Sequence, residues 1–217
     1  MRWQSGVAFG GGAFVYGGYS GKGDEKPGIY EYNVFLNHWY YHNGPDLAIV
    51  SQALGYAYSS SIFYIGGWSG DTLRQDVWSY TPSLGTWEKK TDFPVKQYGG
   101  VAVTIENIAY AGMGSNASHI SNQNLWTTSD GAATWDLKTS YPVSGIVLGG
   151  VACNKRLYII DQSYFITEYN PETDEWTRKS QLPSSRRSVQ CIYAVGNKIY
   201  IGLGQNRMTM YDPLWDN

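Results

Sequence analysis

The chain has 217 residues, 42% apolar and 16% charged, with 16 Lys and Arg against 18 Asp and Glu for a net charge of −2. That much apolar chain at so little net charge excludes a disordered protein, and the mild acidic balance without a Lys/Arg run excludes electrostatic attraction to nucleic acid or a membrane surface. No apolar run approaches the ~20 residues of a bilayer-spanning helix. Met1-Arg2-Trp3-Gln4 leads straight into strand-like sequence without a secretory leader, so a cytoplasmic protein is expected. Polar contacts fall to Tyr, Trp, Ser and Asn, and the 19 Tyr, 9 Trp and 6 Phe favour strands.

Taken in chain order, the sequence repeats itself. Short strands with Ala at one place open at Gly6-Val7-Ala8-Phe9, Gly55-Tyr56-Ala57-Tyr58, Gly100-Val101-Ala102-Val103, Gly150-Val151-Ala152-Cys153 and Ile192-Tyr193-Ala194-Val195. A second strand follows each, ending on Tyr and Gly at Tyr16-Gly17-Gly18, Tyr64-Ile65-Gly66-Gly67, Tyr110-Ala111-Gly112 and Tyr200-Ile201-Gly202, with Tyr158 in register but without the glycines. Downstream come pairs seven apart, Tyr32 and Trp39, Tyr80 and Trp87, Thr128 and Trp135, Tyr169 and Trp176, while Tyr211 opens the same pattern near the end. The Trp intervals of 48, 48 and 41 give a period near 45 and five copies, over 6–45, 55–94, 100–142, 150–183 and 192–217. Each copy reads as four short strands, a to d, separated by turn residues, and no stretch shows a capped helical period.

Four-stranded units at this period predict an all-β chain, one β-propeller domain over 1–217 with about five blades. Strand a is expected innermost, where the recurrent Ala fits between converging blades. The strand-d Trp and strand-b Tyr are expected to wedge between neighbouring blades as core. The fifth copy stops before its strand-d Trp is due, so either Trp215 approximates it or the last blade lacks its outer strand. A three-stranded last blade is expected rather than one completed by Met1 to Ser5. It would leave an edge open to another chain.

Gly-Gly after Tyr, a Tyr-x-Pro step and Trp seven residues after that Tyr make the sequence resemble the kelch repeat. Tyr64 to Trp87 shows it, and Tyr169-Asn170-Pro171-Glu172-Thr173-Asp174-Glu175-Trp176 shows it most clearly. The resemblance covers almost the whole chain. It departs at Ile159-Ile160-Asp161, where glycines belong, and at Thr128-Ser129-Asp130-Gly131-Ala132-Ala133-Thr134-Trp135. That last segment is similar to the Asp-box hairpin of sialidase-like propellers, a structural turn, with Ala132 in place of a glycine. Kelch propellers usually have more than five blades, so a domain of a larger protein stays open.

Catalytic chemistry is not legible. Cys153 and Cys191 have neither disulfide-framework nor metal-ligand spacing and read as two small buried hydrophobes. His38 and His42 stand roughly 13 Å apart if both lie on one strand, so no metal is predicted, and no cofactor either. No nucleophile elbow or phosphate loop occurs; Gly10-Gly11-Gly12 reads as a hairpin. Asn116-Ala117-Ser118 fits a glycosylation acceptor.

The b–c and d–a loops are expected to share one face, and the b–c loops vary: Tyr19 to Gly28, Trp68 to Gln75, Met113 to Asn124, Asp161 to Phe165 and Gln205 to Met208. Tyr19, Trp68, Arg74, Tyr164 and Arg207 are hot-spot residue types, and Lys22, Lys96, Arg186 and Arg187 add charge to the same face. Two readings stay open. The first is a module that binds a protein or peptide partner and is not an enzyme. The second is a glycan-binding protein, or a small-sugar isomerase resembling kelch-type sialic-acid mutarotases. The Tyr and His ligand set that a resemblance to kelch-type copper oxidases would require is not found.

Overall fold

The computed structural model describes residues 4–18, 27–45, 50–183, 189–204 and 207–216. Five antiparallel sheets, one per repeat, hold nearly all of the regular structure. The first comprises β1 (Ser5–Phe9), β2 (Gly12–Tyr16), β3 (Gly28–Asn33) and β4 (His38–Asn43) in sequential order. In the second, β5 (Val50–Ser51) and β6 (Leu54–Tyr58) both pair with β7 (Ser61–Ser69), followed by β8 (Thr72–Thr81) and β9 (Thr86–Lys89). The third holds β10 (Val101–Ile105), β11 (Ile108–Gly112), β12 (Leu125–Thr128) and β13 (Asp136–Leu137). The fourth holds β14 (Val147–Cys153), β15 (Arg156–Asp161), β16 (Phe165–Asn170) and β17 (Glu175–Gln181). The fifth has three strands among the described residues, β18 (Cys191–Val195), β19 (Lys198–Gly204) and β20 (Arg207–Tyr211), as expected for the last repeat. A single turn of 3-10 helix, Pro213–Trp215, follows and leaves the Trp215 side chain exposed. Among the described residues no helix is long and apolar enough to cross a membrane.

The chain divides into two compact units. One is Met1–Gly99 with Asn116–Ile120 and Thr128–Trp135; the other is Gly100–Ser115 with Ser121–Thr127 and Asp136–Asn217. Each unit packs sheet on sheet by the same device. In the first, Val7 of β1 seats over Gly55 of β6, where an added Cβ would come within 2.8 Å of the Val7 Cγ2. In the second, Val101 of β10 seats over Gly150 of β14, where a Cβ would lie 2.5 Å from the Val101 Cγ2. At Gly55 and Gly150, two residues before the repeated Ala, the previous sheet's strand a therefore occupies the space of a side chain, whereas at Gly100 the crowding atoms belong to its own sheet and its following turn, the Gly112 carbonyl oxygen foremost. The Ala itself is partly buried at Ala57, Ala102, Ala152 and Ala194, but Ala8 is exposed.

The Tyr–Trp spacing of seven is the register of the c–d hairpin. Tyr32 and Trp39, Tyr80 and Trp87, and Tyr169 and Trp176 are direct cross-strand partners with ring centroids 4.9–5.0 Å apart. The turn residue five after the Tyr takes a left-handed conformation, at Asn37, Gly85 and Asp174. Where that residue has a side-chain oxygen it accepts from the Tyr hydroxyl, 2.7 Å at Tyr32–Asn37 and 2.5 Å at Tyr169–Asp174. Gly85 offers none, and the buried Tyr80 hydroxyl has no partner.

The expected wedges form at Trp87 and Trp176. Trp87 lies among the rings of Tyr16, Tyr64 and Tyr80 and donates from Nε1 to the Asn43 carbonyl at 2.9 Å. Trp176 lies against Tyr141 and Tyr169 and donates to the Thr139 carbonyl at 2.9 Å. In both, the indole N–H is satisfied by the segment leaving the preceding sheet. Trp39 departs from the expectation: it rests on Tyr32 and is 50% exposed.

The segment similar to the Asp box forms its turn around Asp130. One carboxylate oxygen accepts from the Thr128 hydroxyl (2.8 Å) and from the Ala133 and Thr134 amides (3.0 and 3.1 Å); the other accepts from the Thr134 hydroxyl at 2.6 Å. Gly131 and Ala132 both take positive φ, 72° and 64°, so a fully buried alanine adopts the left-handed conformation at the place where glycine is usual. The hydrogen bonds, those from Thr134 foremost, hold the Asp130 carboxyl down at about 2. A depressed carboxyl stabilises the fold fully above its ordinary range and ceases to do so as pH falls through about 2. Asp130→Asn is therefore expected to lose less stability than the parent between pH ~4 and ~2, measured by urea melts followed by Trp fluorescence. Parallel losses would show that Asp130 does not contribute.

Candidate functional site

The β7–β8 hairpin forms one wall of an open groove. Its ladder continues past a bulge between Ile65 and Gly67 to the pairs Trp68–Leu73 and Ser69–Thr72, and Gly70, with φ of 56°, and Asp71 close it. The b–c loop expected over Trp68 to Gln75 is thus mostly strand, because the bulge restores the register and Trp68 suits the ladder. β5 adds the pair Ser51–Trp68 on the other side. The Gln205 to Met208 loop is corrected in the same way: Arg207 and Met208 belong to β20.

Trp68 is half-buried, with its ring centroid 5.6 Å from that of Tyr98. The Tyr98 hydroxyl lies 2.6 Å from Nδ1 of His119, whose ring meets Tyr98 edge-on. His119 is presented by a tight turn in which the Asn116 side-chain oxygen accepts from the Ser118 and Ile120 amides at 2.9 and 3.0 Å. His119 itself has φ of 61°. Together with Ser51, Gln52, Gly70 and Asp71, these residues enclose a groove of about 590 Å³ in the first unit, within the usual size of small-ligand sites. Among the described residues its lining carries one carboxylate, Asp71, and no Lys or Arg. The arrangement offers two aromatic surfaces flanked by an acid, an imidazole, an amide and a hydroxyl.

Arg74 stands elsewhere. It pairs across the ladder with Gly67, one step from the Trp68 pair, so Arg74 and Trp68 project from opposite faces of the hairpin. Its guanidinium is paired with Asp76, donating from Nε to Oδ2 at 2.9 Å. Arg74 shares a second cleft of about 270 Å³ with Lys96, Asp76 and Asp92. A small enclosed space nearby is bordered by Tyr16, Tyr64, Trp78, Arg74 and Asp76. Burial, the largest influence, pushes the Tyr16 hydroxyl up to about 12, with the Asp76 charge adding to it.

Tyr164 and Arg207 belong to the second unit. Tyr164 takes φ of 62° in the turn that the buried Asp161 holds, and packs half-buried on the cluster of Ile160, Ile166 and Leu182. The Asp161 carboxylate accepts from the Ser163 amide at 2.8 Å and the Tyr141 hydroxyl at 3.0 Å. Arg207 is exposed at the start of β20. Tyr19, Lys22, Arg186 and Arg187 lie outside the described residues. The structure therefore brings Arg74 together with Lys96 and separates both from Trp68. It adds Tyr98 and His119, which loop reasoning had not selected; Tyr98 directly precedes Gly99-Gly100 in the d–a segment, and His119 falls within the expected loop Met113 to Asn124.

Of the two cysteines read as buried, Cys153 is so, but Cys191 at the start of β18 is exposed. The other histidines both lie in β4. His42 Nε2 lies 2.8 Å from Glu31 Oε2, and His38 meets Tyr40 edge-on.

No family model matches the sequence, and no curated protein does. Among solved structures, that of YjhT is similar over 92% of this chain and 71% of its own, with TM-score 0.76 and 13% identity. At that identity the likeness establishes the fold, a β-propeller in which the five sheets are blades.

Proposed function

We propose that this chain is a kelch-type propeller that acts as a binding module for a protein or peptide partner, with the partner seated in the groove around Trp68. The observation that carries the reading is the Trp68–Tyr98–His119 arrangement, in which a half-buried indole on the β7–β8 hairpin meets a half-buried phenol and an imidazole from two other segments. Large aromatic side chains on rigid elements contribute most of the affinity at such surfaces. The test is selection of peptides from a display library on the immobilised chain, followed by measurement of Kd from Trp fluorescence. Trp68→Ala is expected to weaken the selected peptides by at least about thirtyfold, the size of an interface hot spot, at unchanged far-UV circular dichroism. Peptides that bind the variant as well as the parent would reject the groove.

A second reading, a glycan-binding protein or small-sugar isomerase, is favoured by one feature of the same groove: aromatic faces beside Ser51, Gln52 and Asp71 suit a sugar ring and its hydroxyls. The isomerase form requires proton transfer, for which Asp71 and His119 are the titratable groups of the lining besides the Tyr98 hydroxyl. A glycan array with binding lost in Trp68→Ala would support this reading over the peptide one; an array without hits would set it aside.

A further inference from the structure

The groove of the first unit is one-sided in charge. Its lining joins the rings of Trp68 and Tyr98, whose planes stand at 42° with centroids 5.6 Å apart, to the Asp71 carboxylate, with no Lys or Arg among the described residues. The hairpin explains this placement. Trp68 pairs with Leu73 and Ser69 with Thr72, so the turn Gly70-Asp71 carries the carboxylate three positions from the indole.

Asp71 differs from the other acids of its unit. Among the described residues there, Glu31 lies against His42, Asp76 against Arg74, Glu88 against Lys90 and Asp92 against Lys89. Asp130 accepts from the Ala133 and Thr134 donors of its own turn. Asp71 is exposed at the tip of the hairpin and meets neither a base nor a hydrogen-bond donor among the described residues. Its charge is left uncompensated beside two aromatic rings.

Both features favour a cation and disfavour an anion. The face of an indole or phenol ring is the negative pole of its quadrupole and attracts a guanidinium or ammonium within about 6 Å. A carboxylate without partners adds a charge-assisted hydrogen bond to the same group. The Tyr98 ring is also restrained, because its hydroxyl lies 2.6 Å from Nδ1 of His119. A neutral apolar anchor would use the rings and leave Asp71 idle.

Resting on the reading that this groove seats a peptide, we infer that the groove selects a positive charge, supplied by an arginine side chain of the partner. A planar guanidinium stacks on an aromatic face and still presents N–H donors in its plane to a carboxylate, whereas an ammonium is a compact point charge with a tighter hydration shell. The partner is therefore a peptide segment with an accessible Arg. The net charge of −2 on the chain favours approach of the same sign.

The experiment titrates the whole chain with a blocked pentapeptide, acetyl-Gly-Gly-Arg-Gly-Gly-amide, and with the same peptide carrying citrulline in place of arginine. Citrulline keeps the shape and removes the charge. Binding is followed by NMR at the Trp68 indole N–H, identified as the signal missing from Trp68→Leu. The arginine peptide is expected to shift this signal saturably and to bind about tenfold more tightly than the citrulline peptide, the size of a cation–π contact joined to an exposed ion pair. Asp71→Asn is expected to reduce that preference about threefold, and added salt at about 0.5 M to reduce it as well.

Equal binding of the two peptides, or a preference that Asp71→Asn leaves untouched, overturns the inference. A display selection that yields Trp68-dependent peptides without a basic residue overturns it too, while leaving the binding module in place. A selection that yields no Trp68-dependent peptide, beside an arginine probe that binds with the expected charge preference, rejects the module and upholds the cation selectivity of the groove.

Discussion

Trp176→Ala is expected to destabilise the protein by about 3 kcal/mol, the lower end of the range for removing a well-packed Trp, whereas Trp39→Ala costs less than about 1 kcal/mol. The two residues occupy the same place in the repeat and stand the same way over their cross-strand Tyr, at 4.9 and 5.0 Å. Their surroundings differ. Trp176 is partly buried against Tyr141 and packs on the second unit's core, and its N–H donates to Thr139. Trp39 is half in solvent. Loss of Trp176 forfeits apolar burial, an aromatic edge contact and a hydrogen bond worth about 1 kcal/mol, and it opens a gap beside the fully buried Tyr169. At this chain length the difference of about 2 kcal/mol corresponds to roughly 4–8 °C in melting temperature, read by circular dichroism. Equal losses in the two variants would mean that the Tyr–Trp hairpin pair, not the packing of one sheet on the next, supplies the energy.

Gly150→Val is expected to cost about 3 kcal/mol, at the upper end for overpacking, while Gly6→Val is neutral to slightly stabilising. An added Cβ at Gly150 would meet the Val101 Cγ2 at 2.5 Å, the Tyr158 carbonyl oxygen at 3.0 Å and the Ile159 Cγ2 at 3.2 Å. The methyl groups can yield only by moving within a packed core, and the carbonyl is tied into the β14–β15 ladder. A branched side chain adds more volume in the same place. At Gly6 no atom stands in the way, and a β-branched residue suits a strand better than glycine. Thermal unfolding of both variants checks the pair; a stable Gly150→Val would show that the second unit's strand-a packing relaxes at little cost.

Much of this architecture is legible in the residues. The Tyr–Trp spacing of seven is the length of a hairpin whose two ends face each other, so three copies of that spacing specify three cross-strand pairs. The Thr128 to Trp135 segment folds as its likeness to an Asp box implies, since Asp130 can satisfy the turn amides locally. The groove was legible only in part. Trp68 was singled out as an exposed aromatic, but its neighbours come from a d–a segment and from a loop some 50 positions along the chain. Arg74 was grouped with Trp68 because both fall in the expected loop Trp68 to Gln75. The two-residue turn pairs Arg74 with Gly67 and so sends it to the other face of the hairpin, where Asp76 engages it.

By itself the sequence determined the repeat, its strands and turns, and the shape of each sheet, because these depend on alternation, turn residues and contacts a few positions apart. Tertiary structure decided which copies of a repeated residue are core and which are surface. Trp39 and Trp176, Gly6 and Gly150, and Met208 and Ile166 match in local pattern and differ in what lies over them. Burial is a property of the neighbouring sheet, and no residue encodes its neighbour's presence within its own repeat. The binding groove follows the same rule: its chemistry arises where Trp68, Tyr98 and His119 meet.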